Sequence, residues 1–330
     1  MNKQRLAEKR QLIQLIRRFF DDNGFTEIET PLLVPSPGME THLHGFKTKY
    51  LDNHGNEQEL YLPTSPEFAI KKALGGGYEK VYEIARVFRN MGELGPQHHP
   101  EFNMLEWYRP GGYEDVMDDV DSFLLFISQN FPLADEISGF DWGNGSRRTT
   151  LQVCFEHYAD LDLTRGMLDQ GYWRSAAEDV LQENVPEDDS FEDVFFRVWM
   201  KMIEPQLGVD GPQIVYDYPA SMSALAQLKA SDTRWAERFE LYINGVEIGN
   251  AFSELRDADE QRLRFENANK ARKRLGYEPH PIDEDLIQAV TRMKPTGGIA
   301  MGVERLLMVL TGESDIRQFF LQPLTEARRK

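Results

Sequence analysis

The apolar residues near the start of the chain recur at helical spacing. Over residues 3–22, leucine, isoleucine and phenylalanine return every three or four positions, with lysine and arginine between them, which predicts an amphipathic helix. The sequence DDNG follows, and Gly24 is a suitable residue to end that helix. The next stretch, FTEIETPLLV, alternates like a strand and is interrupted by Pro31, which indicates a sheet edge or a bend.

Short strands and helices alternate along the rest of the chain. ELYLPTSPEFAIKKAL predicts a strand, a turn and a helix that begins near Pro66. EKVYEIARVFRN and EFNMLEWYRP predict two strands, and RFELYINGVEIGNAFSEL predicts a hairpin with Asn244 and Gly245 as its two-residue turn. GGIAMGVERLLMVLTG indicates a glycine-rich strand that runs into an apolar helix. We expect one domain over residues 1–330, with a largely helical insertion at about 113–210.

Composition narrows the possible settings and partners. The chain has 330 residues and a formal net charge of −18, which argues against a broad nucleic-acid-binding surface. A single cysteine, Cys154, excludes an internal disulfide and a cysteine-based zinc site. The sequence contains neither an apolar run of about 18 residues, the length of a membrane span, nor a signal-peptide core. We therefore expect a cytoplasmic protein.

The predicted hairpin carries two carboxylates on one face. Pairing outward from the turn places Tyr242 opposite Glu247 and Glu240 opposite Gly249, so that Glu240 and Glu247 become diagonal neighbours, ~7–8 Å apart at Cα. Carboxylates at that distance can hold Mg²⁺ together with phosphate oxygens. The alternative, which the residues alone favour, is a solvated acidic face beside an apolar core face.

Arginine and aromatic residues concentrate in the stretch FRNMGELGPQHHPEFNMLEWYRP. Arg89 stands where a strand turns, and its guanidinium can bind two phosphate oxygens at once. Phe102 and Trp107 on the returning strand could offer a flat face to a nucleobase. The glycines before Arg305 suit an anion at a helix start. The alternative for Arg89 is a weak surface ion pair.

Together these segments resemble the three motifs of a class II aminoacyl-tRNA synthetase catalytic domain of the lysyl type. RRFFDDNGFTEIETPLL is similar to the first motif, FRN…HHPEFNMLEWY to the second and GGIAMGVERLLM to the third, while RFELYINGVEIGNAFSEL is similar to the metal- and lysine-binding strands. The resemblance implies an α+β fold in which helices flank an antiparallel sheet. It also implies a homodimer formed through the first motif.

The resemblance assigns two sets of residues to the two ends of one site. Arg89 and Arg305 are expected to be catalytic, and Glu240 and Glu247 to hold Mg²⁺. The residues expected around ATP are Arg89, Asn90, Met91, Glu93, His98, Phe102, Glu247, Ile248, Gly302 and Arg305. Those expected around the amino acid are Ser65, Pro66, Glu67, Tyr108, Asn250, Glu254 and Ala300.

Two departures from the lysyl pattern refine the expectation. The helix of the first motif begins within the first ten residues of the sequence, so no anticodon-binding domain is expected before it. This resembles the truncated lysyl-synthetase paralogues that modify elongation factor P, which implies transfer of (R)-β-lysine or lysine to a lysine ε-amine of that factor, without tRNA or membrane. Met91 stands where the family has glutamate, and Glu93 is its expected substitute.

Two other hypotheses remain compatible with these residues. One is a free-standing class II enzyme that activates another amino acid, such as an asparagine synthetase-like enzyme using a small acid, although Glu67 and Glu254 argue against an acidic substrate. The other is a regulatory paralogue that binds an amino acid without catalysis. The presence of Arg89, Glu247 and Arg305 argues against that hypothesis.

Overall fold

The computed structural model describes residues 2–92 and 94–324. Its strands are β1 Thr26–Glu27, β2 Phe46–Leu51, β3 Glu57–Leu62, β4 Val81–Phe88, β5 Glu101–Pro110, β6 Arg147–Thr150, β7 Gln213–Pro219, β8 Trp235–Ile243, β9 Val246–Ser253 and β10 Thr296–Gly302. Its α-helices are α1 Lys3–Asp22, α2 Glu67–Gly75, α3 Tyr113–Asn130, α4 Asp135–Ser138, α5 Leu151–Ala159, α6 Leu163–Leu168, α7 Gln170–Leu181, α8 Phe191–Val198, α9 Ala258–Arg274, α10 Glu284–Val290 and α11 Val303–Thr311.

One eight-stranded sheet organises these elements, in the order β1-β4-β5-β10-β9-β8-β7-β6. All pairs from β4 to β7 are antiparallel, and only the two edge strands, β1 and β6, pair in parallel. β2 and β3 form a separate two-stranded sheet. This arrangement of a large, mostly antiparallel sheet flanked by helices confirms the predicted α+β fold.

Helices cover the sheet through separate apolar clusters. α1, α3 and α11 pack on one side, where Phe20, Trp107, Phe123 and Leu306 are fully buried. α2, α9 and α10 share a second cluster around Phe265. α5, α7 and α8 form a third with residues of β7 and β8. Within residues 113–210, α3 and α4 therefore belong to the main core, whereas α5 to α8 have a core of their own. The single-domain organisation stays a prediction.

The first helix follows its predicted bounds. Asn2 accepts a hydrogen bond from the backbone N–H of Arg5 at 3.3 Å, which caps the helix start. The buried positions include Leu12, Ile16 and Phe20. Gly24 follows the helix with φ +73°, a conformation that glycine adopts without strain.

The strand predicted after that helix is mostly wrong. Of FTEIETPLLV, only Thr26–Glu27 is a strand. The backbone N–H and hydroxyl of Thr30 both donate to the Glu83 carboxylate, at 3.0 and 3.1 Å, which draws the chain away from the sheet edge. Pro31 then offers no N–H to continue the ladder. Leu32 and Leu33 remain exposed.

A bilayer-spanning segment is not found among the described residues. No helix within residues 2–92 and 94–324 combines the length and the apolar character that crossing a membrane requires.

Candidate active site

A cavity of about 670 Å³ lies over the central strands of the sheet. Side chains alternate between the two faces of a strand, so Phe102, Met104, Glu106 and Tyr108 of β5 all line the cavity. β10 adds Gly298, Ala300 and Gly302, and β9 adds Asn250 and Phe252. The register explains why these residues meet, since Ala300 pairs with Glu106 on one side and with Asn250 on the other.

Arg89 places a cation at one end of this cavity. It directly follows β4, and its guanidinium lies 5.3 Å from the centre of the Phe102 ring. Its Nε is buried and has no acceptor among the described residues. Burial lowers the pKa of Arg89, while the carboxylates of Glu40 and Glu247 oppose that shift. A buried donor without a partner is a candidate contact for an anionic ligand.

Arg305 ties three segments together at the same end. It lies in the first turn of α11, and its Nη2 is 2.9 Å from Nε2 of His98. Its Nη1 donates to the Glu247 carboxylate and to the Glu247 backbone carbonyl, both at 3.2 Å. The loop before β5, the start of β9 and the start of α11 therefore converge on one guanidinium.

The β8–β9 hairpin forms, but its predicted register is wrong beyond the first pairs. Asn244 and Gly245 make the turn with φ values of 51° and 73°, as a two-residue hairpin turn requires. Tyr242 pairs with Glu247 as predicted. A bulge at Ile248 then shifts the ladder by one residue, so Glu240 lies opposite Asn250 rather than Gly249. The bulge brings the Glu240 carboxylate beside the amide side chain of the next strand.

Glu240 is a buried acid held by three donors. The hydroxyls of Tyr218 and Tyr242 donate to one carboxylate oxygen, at 2.6 and 2.5 Å, and Arg238 donates to the other at 2.6 Å. Burial raises the pKa of Glu240, although Arg238 opposes the shift. Arg238 also donates to Oδ1 of Asn250 at 3.1 Å. The alternative of a solvated acidic face is therefore wrong for Glu240.

The donor set at this end is compatible with a hard cation. The described residues contain no group of three or more His, Cys, Asp or Glu side chains arranged to hold a metal by themselves. Glu240 and Glu247 nevertheless supply carboxylate oxygens, and Mg²⁺ usually combines one or two carboxylates with phosphate oxygens and water. Burial, together with the carboxylates of Glu247 and Glu240, raises the pKa of Glu204 to about 7, which indicates an excess of negative charge here.

The opposite end of the cavity is acidic and contains a buried lysine. Lys71 of α2 is fully buried, and its Nζ lies 2.6 Å from carboxylate oxygens of both Glu67 and Glu254. Burial opposes the charge of Lys71, but the Glu254 and Glu67 carboxylates outweigh it and raise the pKa of Lys71. Burial raises the pKa of Glu254 to about 8, against the lowering effect of Lys71.

Glu106 and Tyr108 complete the acidic end. The Tyr108 hydroxyl donates to the Glu106 carboxylate at 2.9 Å. Burial, followed by the Glu67 charge, raises the pKa of Glu106 well above its usual range. Gly298 makes this packing possible, because a Cβ there would lie 2.3 Å from Tyr108 Cε1 and 2.5 Å from a Glu254 oxygen. Glu106 thus lies near Glu67 and Glu254, the two carboxylates that contact the Lys71 ammonium.

Comparison with known proteins now identifies the family. The family described as tRNA synthetases class II (D, K and N) matches residues 1–326. The chain belongs to this class II synthetase family. It is 38% identical over 321 residues to the elongation factor P–(R)-β-lysine ligase of Avibacterium paragallinarum, covering 96% of this chain and 94% of that protein. The ligase of the same name from Yersinia enterocolitica is 36% identical over 327 residues, covering 98% and 95%.

Most residues that the class II motifs suggested for the site do line the cavity. They are Ser65, Glu67, Arg89, Asn90, Met91, His98, Phe102, Tyr108, Glu247, Ile248, Asn250, Ala300, Gly302 and Arg305. Glu240 and Glu254 lie directly behind this lining, almost fully buried. Pro66 instead precedes the first turn of α2 and borders a small separate pocket. Glu93 lies outside the described residues. The role of each residue stays a prediction.

One aromatic expectation within the second class II motif is wrong. Phe102 lines the cavity, but Trp107 is fully buried against Phe20 and Phe123 on the opposite face of the sheet. The strand period of two decides this, because positions 102 and 107 differ by an odd number of residues.

The sequence patterns did not indicate four residues that belong to the class II site. Glu106, Lys71, Arg238 and Glu204 all bear on its charge balance. The alternation of β5 could have revealed Glu106, since it lies between Phe102 and Tyr108 on the same face. The other three show no sequence signal, because their partners are distant in the chain or lie across the sheet.

Proposed function

We propose that the chain is an ATP-dependent ligase that activates (R)-β-lysine, or lysine, as an aminoacyl-adenylate. It then transfers the aminoacyl group to the ε-amine of a lysine on elongation factor P. The observation that carries the proposal is the polarity of one cavity, which has arginines at one end and three carboxyls at the other. The relatives match nearly the whole chain, and their names support elongation factor P as the acceptor.

The arginine end is suited to ATP. Arg89 offers a half-buried guanidinium whose buried Nε–H has no acceptor in the described part of the chain, and Phe102 offers a ring beside it. Arg305 and His98 lie within reach of the same space. Cations fixed before the substrate arrives stabilise charge that develops on the α-phosphate, without reorganising during the reaction. Arg89 and Arg305 are therefore the proposed catalytic residues.

Glu240 and Glu247 are the proposed ligands of Mg²⁺. When bound, the ion would neutralise phosphate charge and orient the leaving pyrophosphate. Around it, Arg238 and two tyrosines fix the Glu240 carboxylate, so the protein sets the direction of this ligand in advance. Arg305 fixes the direction of the Glu247 carboxylate in the same way.

The acidic end is suited to an amino acid with two ammonium groups. A desolvated ammonium needs a carboxylate partner, and Glu67, Glu106 and Glu254 are all buried here. Tyr108 and Asn250 add polar contacts in the same cavity. Ala300, opposite both Glu106 and Asn250 in the sheet, narrows the middle of the cavity by one methyl group relative to glycine. We infer that it adapts the pocket to a shifted amino group.

Two chemical steps follow from this arrangement. In the first, a carboxylate oxygen of the amino acid attacks the α-phosphorus of ATP, forming the mixed anhydride and releasing pyrophosphate. In the second, the neutral ε-amine of the acceptor attacks the acyl carbon, forming an amide and releasing AMP. Holding both reactants in one cavity supplies much of the acceleration.

Amino-acid-dependent exchange of pyrophosphate into ATP tests the first step. We expect exchange with (R)-β-lysine, weaker exchange with lysine, and none with aspartate or asparagine. Exchange with aspartate alone would favour the asparagine synthetase-like alternative. Absence of exchange with both lysine isomers, in a protein that still binds them, would favour the regulatory alternative.

Incubation with ATP, (R)-β-lysine, elongation factor P and tRNA tests the acceptor. Intact-protein mass spectrometry should show one added aminoacyl group on the factor, and acid gels should show uncharged tRNA. Replacement of the acceptor lysine by arginine is the control that locates the modification. Aminoacylated tRNA with unmodified factor would contradict the proposal.

The homodimer and the cytoplasmic setting belong to the same proposal. The exposed Leu32 and Leu33 at the end of the first motif support an interface there. The single, buried Cys154 suits a reducing compartment. Light scattering should give a dimer mass for the wild type and a monomer mass for Leu33→Glu. A monomeric wild type at micromolar concentration would contradict the interface.

A further inference from the structure

Lys71 is a charged residue that the proposed reaction does not use. Its side chain is fully buried, it belongs to α2, and its Nζ contacts Glu67 on its own helix and Glu254 at the end of β9, both at 2.6 Å. The ring of Phe252 is the third neighbour, 5.4 Å from Nζ. Lys71 thus contacts Glu67 and Glu254, two of the carboxylates that we expect around the amino acid.

The charge count around Lys71 matches a diamino acid. The groups that face it or its two partners are Glu67, Glu106, Tyr108 and Glu254. Burial raises the pKa of Glu106 well above its usual range, which favours the neutral form of this carboxyl. When Glu67 and Glu254 are ionised and Glu106 is neutral, two carboxylates and one ammonium leave one net negative charge. A diamino acid with an ionised carboxyl group carries one net positive charge.

Lys71 leaves part of Glu254 available. It contacts Oε2 of Glu254. Oε1 is buried, has no hydrogen-bond donor within residues 2–92 and 94–324, and lies near Gly298 and Tyr108, which line the cavity. A buried carboxyl without a cation nearby takes up a proton rather than staying charged. A neutral carboxyl would bind an arriving ammonium much more weakly than a carboxylate does.

We propose that Lys71 is a built-in ammonium of the amino acid subsite, which favours the ionised form of Glu254 and positions it for the second ammonium of a diamino acid. This inference rests on the proposed function, since it assumes that the acidic end binds such a substrate. Lys71 is thereby a positioning residue that sets specificity, and it need not touch the substrate.

The pH dependence of amino acid binding distinguishes this role from simple support of the fold. Glu254 must be ionised to bind an ammonium, so affinity is present above its pKa and is lost as pH falls through it. With Lys71 in place that pKa is about 8. Loss of the neighbouring cation should move the acid limb upward by ~1 unit or more, because an opposite charge at this distance lowers a carboxyl pKa by that amount. Loss of mere packing would weaken binding equally at every pH.

Lys71→Gln removes the charge and keeps a polar side chain of similar length. We expect the KM for (R)-β-lysine in pyrophosphate exchange to rise ~10-fold or more at neutral pH, while the KM for ATP stays within ~2-fold. The rise in the KM for (R)-β-lysine should become smaller as pH increases toward 9. Lys71→Arg, which keeps the cation, should retain the acid limb of the wild type. The matched control is Lys72→Gln, since Lys72 is the next residue and pairs with Asp283 outside the cavity.

A second pair of variants covers the case in which Lys71→Gln does not fold. Glu67→Gln and Glu67→Gln/Lys71→Gln differ only in the lysine, and the double variant loses one cation and one anion together. Calorimetric titration with lysine should place the acid limb of the double variant above that of the single variant. The inference would be overturned if the acid limbs of the two variants coincided. It would also be overturned if Lys71→Gln lost affinity for the amino acid equally at every pH. Absence of exchange in the wild type would instead refute the proposed function.

Discussion

Arg89 is the residue on which the nucleotide end depends most. Its Nε–H is buried without an acceptor among the described residues, and such a donor is costly unless a ligand satisfies it. The sequence predicted this residue, because an arginine at a strand end before a loop is well placed for phosphate. It did not predict the stacking of the guanidinium over Phe102, which depends on the pairing of β4 with β5.

Arg89→Gln should lower kcat for pyrophosphate exchange by about 100-fold or more, since one preorganised donor to a developing negative charge contributes that much. The fold should persist, because the guanidinium supports no ion pair that the fold requires. Arg86→Gln is the matched control, as Arg86 lies near the end of β4, which Arg89 follows, and forms an exposed pair with Glu101. Equal losses in both variants would contradict the assignment.

Gly298 shows how a residue without a side chain shapes the amino acid end. Gly298→Ala would place its Cβ 2.3 Å from the Tyr108 ring, so we expect a higher KM for the amino acid and a loss of about 1–3 kcal/mol in the free energy of unfolding. Exchange kinetics and urea denaturation measure the two effects. Gly139→Ala is the control, since nothing lies within 4 Å of a Cβ there. An unchanged KM for the amino acid would contradict this packing argument.

The helices of the first and third motifs are joined by a buried ion pair. Lys9 of α1 contacts the fully buried Glu304 of α11 at 2.5 Å. Glu304 also accepts the backbone N–H of Asn103, next to Phe102. Three elements far apart in sequence therefore meet at one carboxylate, and two of them border the ATP end of the cavity.

Lys9→Met should destabilise the protein by about 3 kcal/mol, because it leaves Glu304 buried without its cation. Urea denaturation followed by fluorescence measures the change. Lys49→Met provides the comparison, since its pair with Glu57 is exposed and such pairs contribute about 0–1 kcal/mol. A similar small change in both variants would show that Glu304 does not depend on Lys9.

At the scale of the whole molecule, the acidic end links stability, pH and ligand binding. The folded-state pKa of Glu254, about 8, lies above its ordinary value of 4.5. A raised carboxyl pKa contributes stability below the ordinary value, and that contribution is lost as pH rises through the folded value. A bound ammonium should restore the lost stability by pairing with the ionised carboxylate of Glu254.

Lysine or (R)-β-lysine should therefore raise Tm more at about pH 8.5 than at about pH 6, because only the ionised carboxylate gains from the ligand. Differential scanning fluorimetry with and without the amino acid measures this difference. Glu254→Gln, which cannot ionise, should show the same ligand-induced shift at both pH values. A larger shift of the wild type at the lower pH would contradict the sign of the linkage.

Local sequence alone determined much of this protein. Helical spacing and the DDNG stop predicted α1, period-two alternation predicted β4 and β5, and Asn244 with Gly245 predicted the turn of the hairpin. Most of the residues that the motifs indicated for the site also line the cavity, because each motif groups its functional residues within a short segment. The strand predicted around Pro31 was mostly wrong, since a long-range contact between Thr30 and Glu83 decides the path there.

Only the tertiary structure decided how the charges combine. The bulge at Ile248 sets which residue faces Glu240, and no turn or pattern in the sequence predicts it. Lys71 meets Glu254 across 183 positions of the chain, and burial raises the pKa of Glu106 and Glu254. Such effects depend on desolvation and on contacts between distant segments. The sequence therefore supplied the chemical groups of the site, and the packing of the sheet determined their charges and partners.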